Sequence, residues 1–580
     1  MNAKLAELDP ITLEVVHNGL LSIADETFYA LMKSAYSTNI KERHDHSTCL
    51  VDTSGHTIVQ ATRTQVIHIS SMQGHIRTIL DTVAPEDIRE GDVFISNDPY
   101  AAGGSHLPDI NYAAPIFIDG ELAAFSCNIA HHADIGGMVA GSMSSNMTEI
   151  FQEGLRLPVV KLFREGKLIE DVLNIILLNI RNPEERRGDY FAQIAACRLG
   201  IQRFRELAAK HGVAQIKAAS AEIIKRTEAR MRRAIDTIPD GEYVFEDVLD
   251  DDGVGTRDIV IKLKLSVRGN SIKFDFAGTS PQVKGNVNSP LRAIEASVAY
   301  ILMALLDRDI PCNQGILNAI EVIAEPGSLL NPVFPAPVAA RTHTCQRVVD
   351  VVIGALARAL PRAAMGASNG SNTMAIVSGT DPRNGKAYLY FETYGGGCGA
   401  RSFKDGKDGM QSHIPNTSNT PIEVMETEFP LLVEEYSMPQ DTGGPGKYRG
   451  GLALRRVIRP LGHICIFTGA CERYTTPPWG VHGGKAGSRG EYLLIDDDGT
   501  VVKLDSKPAP LECGPHQRIV VQSPGAGGYG ESRERDERLL ALDWASGKFS
   551  LDYMELHYGL NRAKLDALKV DRDAFDYAEE

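Results

Sequence analysis

Residues 172–238 constrain this chain more than any other stretch. They carry charged-amphipathic sequence with few glycines, and just past Pro239 and Asp240 the pattern changes to alternation of apolar and polar residues. A helix repeats its faces about every 3.6 residues and a strand every second residue, so neither pattern buries cleanly in the other geometry. PEERRGDYFAQIAACRLGIQRFRELAAKHG is expected as a helix ending at Gly212, and AQIKAASAEIIKRTEARMRRAIDTI as another. YVFEDVLDDDG, DIVIKLKLSVRGN and SIKFDFAGTS then read as strands joined by Gly- or Asn-containing turns, a meander that opens a second lobe near residue 240. The basic residues of 225–233 alternate with Glu and Ala and read as a solvated helix face.

A chain of 580 residues exceeds what one hydrophobic core organises. The expectation is an α+β fold, a multi-lobed mixed chain. Residues 1–171 would form a metal-bearing α/β lobe and 172–239 a helical segment. Residues 240–454 would form a mixed α/β lobe with long loops, and 455–580 a β-rich region with a helical tail. With no internal repeat or low-complexity linker, the lobes are expected to interlock. In the first lobe, Asp9-Pro10 supplies an N-cap and a first-turn proline for a helix. Strands are expected at 49–51, 57–60 and 93–96, a helix at 70–83, and a hairpin at 116–125 around IDGE. A further helix is expected at 293–306. From there to about residue 460 the sequence is dense in turns, with irregular stretches such as EPGSLLNPVFPAPVAAR, which in a compact protein serve function or interfaces.

A net charge of −15 argues against non-specific nucleic-acid binding. The nine cysteines are scattered, odd in number and without CxxC spacing, which fits a reducing cytoplasm better than a disulfide framework or zinc ribbon. The N-terminus lacks a basic segment followed by an apolar one, so no signal peptide is expected. No run approaches membrane-spanning length. A soluble, cytoplasmic protein is the expectation.

The chemistry concentrates in 96–137, SNDPYAAGGSHLPDINYAAPIFIDGELAAFSCNIAHHADIGG. His106 and Asp109 sit three apart in the glycine-rich turn GGSHLPD, and His131 and His132 follow a strand-like run. Imidazoles and carboxylates from neighbouring loops are the usual materials of a divalent-metal site. The candidate ligands are His106, Asp109 and His131, with Asp45 from upstream as a fourth. His132 and Asp134 are alternatives to His131, or partners for orientation and proton transfer. Two nitrogens and two oxygens suit zinc best, with manganese or iron also fitting. Such an ion offers a metal-held hydroxide or polarises a carbonyl, which serves amide hydrolysis or carboxyl transfer.

Other motifs do not carry function. GAGGYG (525–530) matches GxGxxG, but too little chain remains for a dinucleotide fold, so it reads as a glycine turn. GPGKY and GGKAG lack the phosphate-loop spacing, and GASNG (366–370) lacks a preceding strand. In NTSNTPIEVMETEFP, Asn416, Asn419, Glu423 and Glu426 form either a capped helix start with solvent-facing acids or a pocket edge.

Read together, DPITLEVV, KERHDHS, SNDPYAAGGSHLPD, HHADIGG, FDFAGTSPQVKGNVNSP, EPGSLLNP, GGGCGAR, NTSNTPIEVMETEFP, GGPGKYRGG and SPGAGGYG resemble, in order, the hydantoinase B/oxoprolinase family. The resemblance covers nearly the whole chain. It implies the B-type subunit of an ATP-dependent hydantoinase, 5-oxoprolinase or lactamase, with subunits of acetone and acetophenone carboxylases as relatives. It implies that ATP is handled by a separate A-type subunit with an actin-like ATPase fold, in an (αβ)2 complex. It also implies a metal held by Asp45, His106, Asp109 and His131, with bicarbonate as a further reactant in some mechanisms. A ketone carboxylase subunit and a non-catalytic scaffold with a structural metal are the alternatives. Cys398 and His46 stand where the family often has aromatic residues, which leaves the substrate open.

Overall fold

Asp9 starts the described chain as predicted, its carboxylate accepting from the Ile11 and Thr12 amides at 3.0 Å to cap the helix Pro10–Ser34. The structure is a computed structural model that describes residues 9–415 and 417–568. Asn416 and the end of the tail, 569–580, lie outside the described residues.

The first body is a seven-stranded antiparallel sheet: β1 (His46–Val51), β2 (Thr57–Gln60), β3 (Val93–Ser96), β4 (Asp109–Ile118), β5 (Glu121–His131), β6 (Val160–Arg164) and β7 (Lys167–Leu168), in the order β2-β1-β5-β4-β3-β6-β7. Successive side chains point to opposite faces, and both faces are covered. Leu50 packs under Pro10–Ser34 with residues of the helix Pro183–His211, while Cys49 and Val51 pack under the helix Ile69–Thr82. The expected hairpin is longer than 116–125. Asp119 and Gly120, with φ of 51° and 83°, make the turn, and the ladder runs back until Asp109 stands opposite His131.

The two helices expected within 172–239 form as Pro183–His211 and Val213–Ile235, broken at Gly212 with φ 78°, and a further helix, Glu170–Leu178, precedes them. The basic face of Val213–Ile235 is a salt-bridged surface, with Arg226 on Glu222, Arg232 on Glu228 and Arg230 on Asp307.

The meander follows as β8 (Gly241–Asp251), β9 (Arg257–Arg268) and β10 (Ser271–Asp275), joined in parallel by β11 (Ile320–Ile323). Against it pack the helices Leu291–Leu306, expected, and Arg341–Leu356, not expected. The second was missed because fourteen of its residues are buried, so no polar face marks a helical period.

Two further sheets share one core. One contains β12 (Met374–Thr380) and β13 (Ala387–Thr393). The other contains β14 (Leu431–Ser437) and β15 (Arg455–Pro460). Then β16 (Cys465–Ala470) and β19 (Leu511–Cys513) join the first, while β17 (Glu491–Asp496), β18 (Val501–Lys503) and β20 (Gln517–Gln522) join the second. Both sheets combine strands from either side of residue 454. The 525–530 glycines are not followed by a dinucleotide helix. Their backbone meshes with the other glycine segments: Gly444 N–H donates to Ala526 O at 2.8 Å, and a Cβ on Gly525 would fall 1.8 Å from Thr442 O. The tail forms the helices Glu537–Ala545, Leu551–Tyr558 and Arg562–Ala567.

Candidate metal centre

Three strand ends meet at one end of the first sheet. Asp109 begins β4, His131 ends β5 in register with it, and Asp45 precedes β1, whose His46 pairs with Ala130. His131 N–H donates to Asp45 O at 2.9 Å, which ties these two segments together. His106 arrives from the turn before β4. That turn sits against the helix Ile69–Thr82 through glycine: a Cβ on Gly74 would lie 2.5 Å from Gly103 O. Only bare backbone permits this approach.

The ligand atoms of His106, Asp109 and His131 all lie within 4.8 Å of one another, and all three residues are buried. His106 Nε2 and Asp109 Oδ1 are paired 3.0 Å apart, without the angles of a directed hydrogen bond. Two buried polar atoms held this close without a directed hydrogen bond are costly in a native core, and a shared cation satisfies both. The remaining atoms are engaged. His106 Nδ1 meets Ala339 O at 3.0 Å, and Asp109 Oδ2 accepts from Ser105 Oγ at 2.8 Å and from Arg341 Nη2 at 2.6 Å. Asn39 Nδ2 donates to His131 O at 2.6 Å and lies 3.2 Å from its Nδ1. Such outer contacts fix ring orientation at metal sites.

Protonation favours ligation. Burial would raise the Asp109 carboxyl, but His106 and Arg341 outweigh it and hold the group well below the usual carboxylate range. Burial pushes both imidazoles down, His131 well below its ordinary value, with Arg341 beside His106 and His106 beside His131 adding to the effect. Neutral imidazoles and an ionised carboxylate are the forms a divalent ion binds. Asp45 lines the same pocket outside the three-residue cluster. Its Oδ1 accepts from Gln65 Nε2 at 2.7 Å, and burial raises its carboxyl against the pull of Arg43 and His68.

His132 and Asp134 turn elsewhere. His132 Nε2 meets Gln193 Oε1 at 2.9 Å, and its ring lies against Tyr190 under the helix Pro183–His211. Asp134 organises its own loop, accepting from the Gly136, Gly141 and Arg181 amides and from Arg181 Nη1. Neither lines the pocket, so the proton-transfer role expected of them has no contact to carry it. Consecutive residues at a strand end face opposite ways, which separates His131 from His132.

The pocket has about 30 Å³ of free space, room for an ion and a water or two. Sequence reasoning missed several of its walls: His68, Gln65, Arg341, Met143, Met374 and Phe391. Phe391 stacks on His131 at 5.1 Å, and Arg43 lies over Phe391. Only the irregular run PAPVAAR, noted as a loop of functional length, signalled any of these, since it ends at Arg341. From NTSNTPIEVMETEFP the structure brings Thr417 to the pocket. Glu423 stays exposed on the helix Ile422–Glu428, and Glu426 accepts from Val433 N–H. His46 stacks on Phe28 away from the pocket, and Cys398 does not line it. All nine cysteines are free thiols, and among the described residues no helix is long and apolar enough to cross a membrane.

A buried His-Asp-His cluster that could hold a metal ion, at the end of an antiparallel sheet and walled by a second lobe, marks this α+β protein. The chain belongs to the hydantoinase B/oxoprolinase family, whose model matches residues 9–532. It is 32% identical to a putative B-type subunit of a D-/L-hydantoinase from Pseudomonas sp. (strain NS671), over 97% of this chain and 96% of that one. It superposes on the crystal structure of the ATP-dependent caprolactamase from Pseudomonas jessenii with a TM-score of 0.91. That match is at 29% identity, over 97% of this chain and 100% of that chain. A nucleotide-free acetone carboxylase shares the fold, with a TM-score of 0.87 at 18% identity over 96% of this chain and 80% of that chain.

Proposed function

We propose that this chain is the metal-bearing B-type subunit of an ATP-dependent cyclic-amide hydrolase, acting on a hydantoin, 5-oxoproline or another lactam. The observation that carries the reading is the convergence of His106, Asp109 and His131, with His106 Nε2 and Asp109 Oδ1 buried and paired 3.0 Å apart without the angles of a directed hydrogen bond. Asp45 is the fourth ligand in this reading, because it shares the sheet end and the pocket. Two imidazoles and two carboxylates suit zinc best, then manganese or iron. When bound, a divalent ion supplies Lewis acidity, which polarises a carbonyl and lowers the pKa of water.

The chain's own residues prepare that chemistry. Arg341 and Ser105 keep Asp109 ionised and fixed, Ala339 O orients His106, and Phe391 covers His131. The hydantoinase and caprolactamase relatives are each named as one component, B or beta, of a larger enzyme, which supports a partner. We assign that partner as an A-type ATPase subunit in an (αβ)2 complex in the cytoplasm. ATP belongs to it, and bicarbonate is included as a co-reactant to be tested.

The test is co-expression with an A-type subunit, then assay with ATP and bicarbonate on hydantoin, 5-oxoproline, caprolactam and a methyl ketone. His106→Ala is expected to lose the metal and to cut lactam turnover by about 100-fold or more. Retained metal with full turnover in that variant overturns the assignment. Turnover of the ketone alone makes the chain a carboxylase subunit instead.

A further inference from the structure

His68 is a pocket residue with one ring edge committed and the other open. It is buried, and its Nδ1 lies 2.7 Å from Ser47 Oγ. Ser47 is also buried, and its oxygen accepts the Gln65 N–H at 3.1 Å. His68 Nδ1 is the one acceptor among the described hydrogen bonds within reach of the Ser47 hydroxyl proton. A buried hydroxyl left without an acceptor is costly, so Ser47 donates to Nδ1 and the ring hydrogen sits on Nε2. Protonating the ring would leave that hydrogen in place, so Nε2 is a donor in either state.

The Nε2 edge lines the metal pocket 3.8 Å from Asp109 Oδ2. That distance is too long for a hydrogen bond, and the oxygen already accepts from Arg341 and Ser105. The Nε2–H therefore has no protein acceptor among the described hydrogen bonds and borders the space beside the ligand cluster. Arg341 also keeps Nε and Nη1 without partners, but it supports Asp109, so removing it would not isolate a donor.

We propose that His68, locked as the Nε2–H tautomer by Ser47, donates a hydrogen bond to the carbonyl or carboxyl oxygen of whatever reacts in this pocket. On the lactam reading above, on which the proposal rests for its reaction, that atom is the amide oxygen as it gains negative charge. A donor placed there stabilises the developing charge more than the ground state, so it acts on kcat before KM.

The experiment uses the co-expressed complex and the variants His68→Ala, His68→Gln and Ser47→Ala, the glutamine placing an amide N–H near the position of Nε2. Metal content and melting temperature are read first, then kcat and KM, then the Kd of acetate for the metal-loaded complex by calorimetry. His68→Ala is expected to keep its metal, to lower kcat by about 100-fold with KM within about threefold, and to weaken acetate by about tenfold. His68→Gln is expected to recover at least about tenfold of the kcat loss, and Ser47→Ala to lie between the alanine variant and the parent. The proposal is overturned if His68→Ala loses metal, keeps kcat within about threefold of the parent, or loses no more than His68→Gln. A parent complex inactive on every lactam counts against the lactamase reading alone. Acetate affinity then decides for His68, an unchanged Kd in His68→Ala overturning its role.

Discussion

His46 and His75 show what burial does to single residues near the sheet. Burial pushes each imidazole down to about 3, against an opposing backbone contact to Phe28 or Phe94. Both folded values lie below that of an unfolded histidine, so the unfolded chain takes up protons first as pH falls. Stability is then full above about pH 6.5 and declines between there and about pH 3. Two such groups give a slope near 2.7 kcal/mol per pH unit in the middle of that window, from about 1.36 kcal/mol per proton. The loss of stability on acidification, read as the difference between urea midpoints of the metal-free protein at pH 7.5 and 5.5, should be smaller in His75→Gln than in the parent, and an unchanged difference would refute the account. At the same scale, His131 and His132 differ by one position and by the face they point to. Their neighbours in space, Asn39 and Phe391 for one and Gln193 and Tyr190 for the other, are far apart in the chain.

Among the elements, the hairpin β4–β5 and the helix Ile69–Thr82 set the geometry of the centre. The hairpin brings Asp109 opposite His131 through its register, and the helix props the turn that carries His106. Gly74→Ala separates helix propensity from packing. Propensity alone would favour alanine by about 1 kcal/mol. The new Cβ would meet the backbone oxygen of Gly103 at 2.5 Å, and Gly103 has φ 70°. Net destabilisation of about 1–3 kcal/mol is expected, with a drop in metal content as the His106 turn shifts. Thermal melting and metal analysis of this variant check it, and a more stable, fully loaded protein would contradict it. The helix Arg341–Leu356 contributes Arg341 at its first position, which joins the second lobe to Asp109.

Over the whole molecule, buried ion pairs tie the lobes together. Arg473, fully buried after β16, pairs with Asp247 of β8 at 2.8 Å and with Asp350 of the helix Arg341–Leu356 at 2.6 Å. Arg347 of that helix reaches Asp247 and Glu472. Removing one member leaves buried charge uncompensated, so Arg473→Met should cost about 3–5 kcal/mol and lower the melting temperature. Among the described residues, Arg473 forms no ion pair with His106, Asp109 or His131, so on the proposed reading metal content should be unchanged, which metal analysis of the purified variant tests. Residue pattern alone was enough to place the helical block, the meander, the capped first helix and the clustering of His106, Asp109 and His131. Those follow from periodicity, turn chemistry and close spacing, which are local. It did not show the helix Arg341–Leu356, the sheets that cross residue 454, or the pocket walls at His68, Arg341 and Phe391. A helix buried on all sides carries no amphipathic period, and residues such as His68 and Arg341, hundreds of positions apart, become neighbours only when the lobes close. Which histidine of the HH pair faces the centre, and what stands beside it, depends on hairpin register and lobe closure, and both exist only in the folded chain.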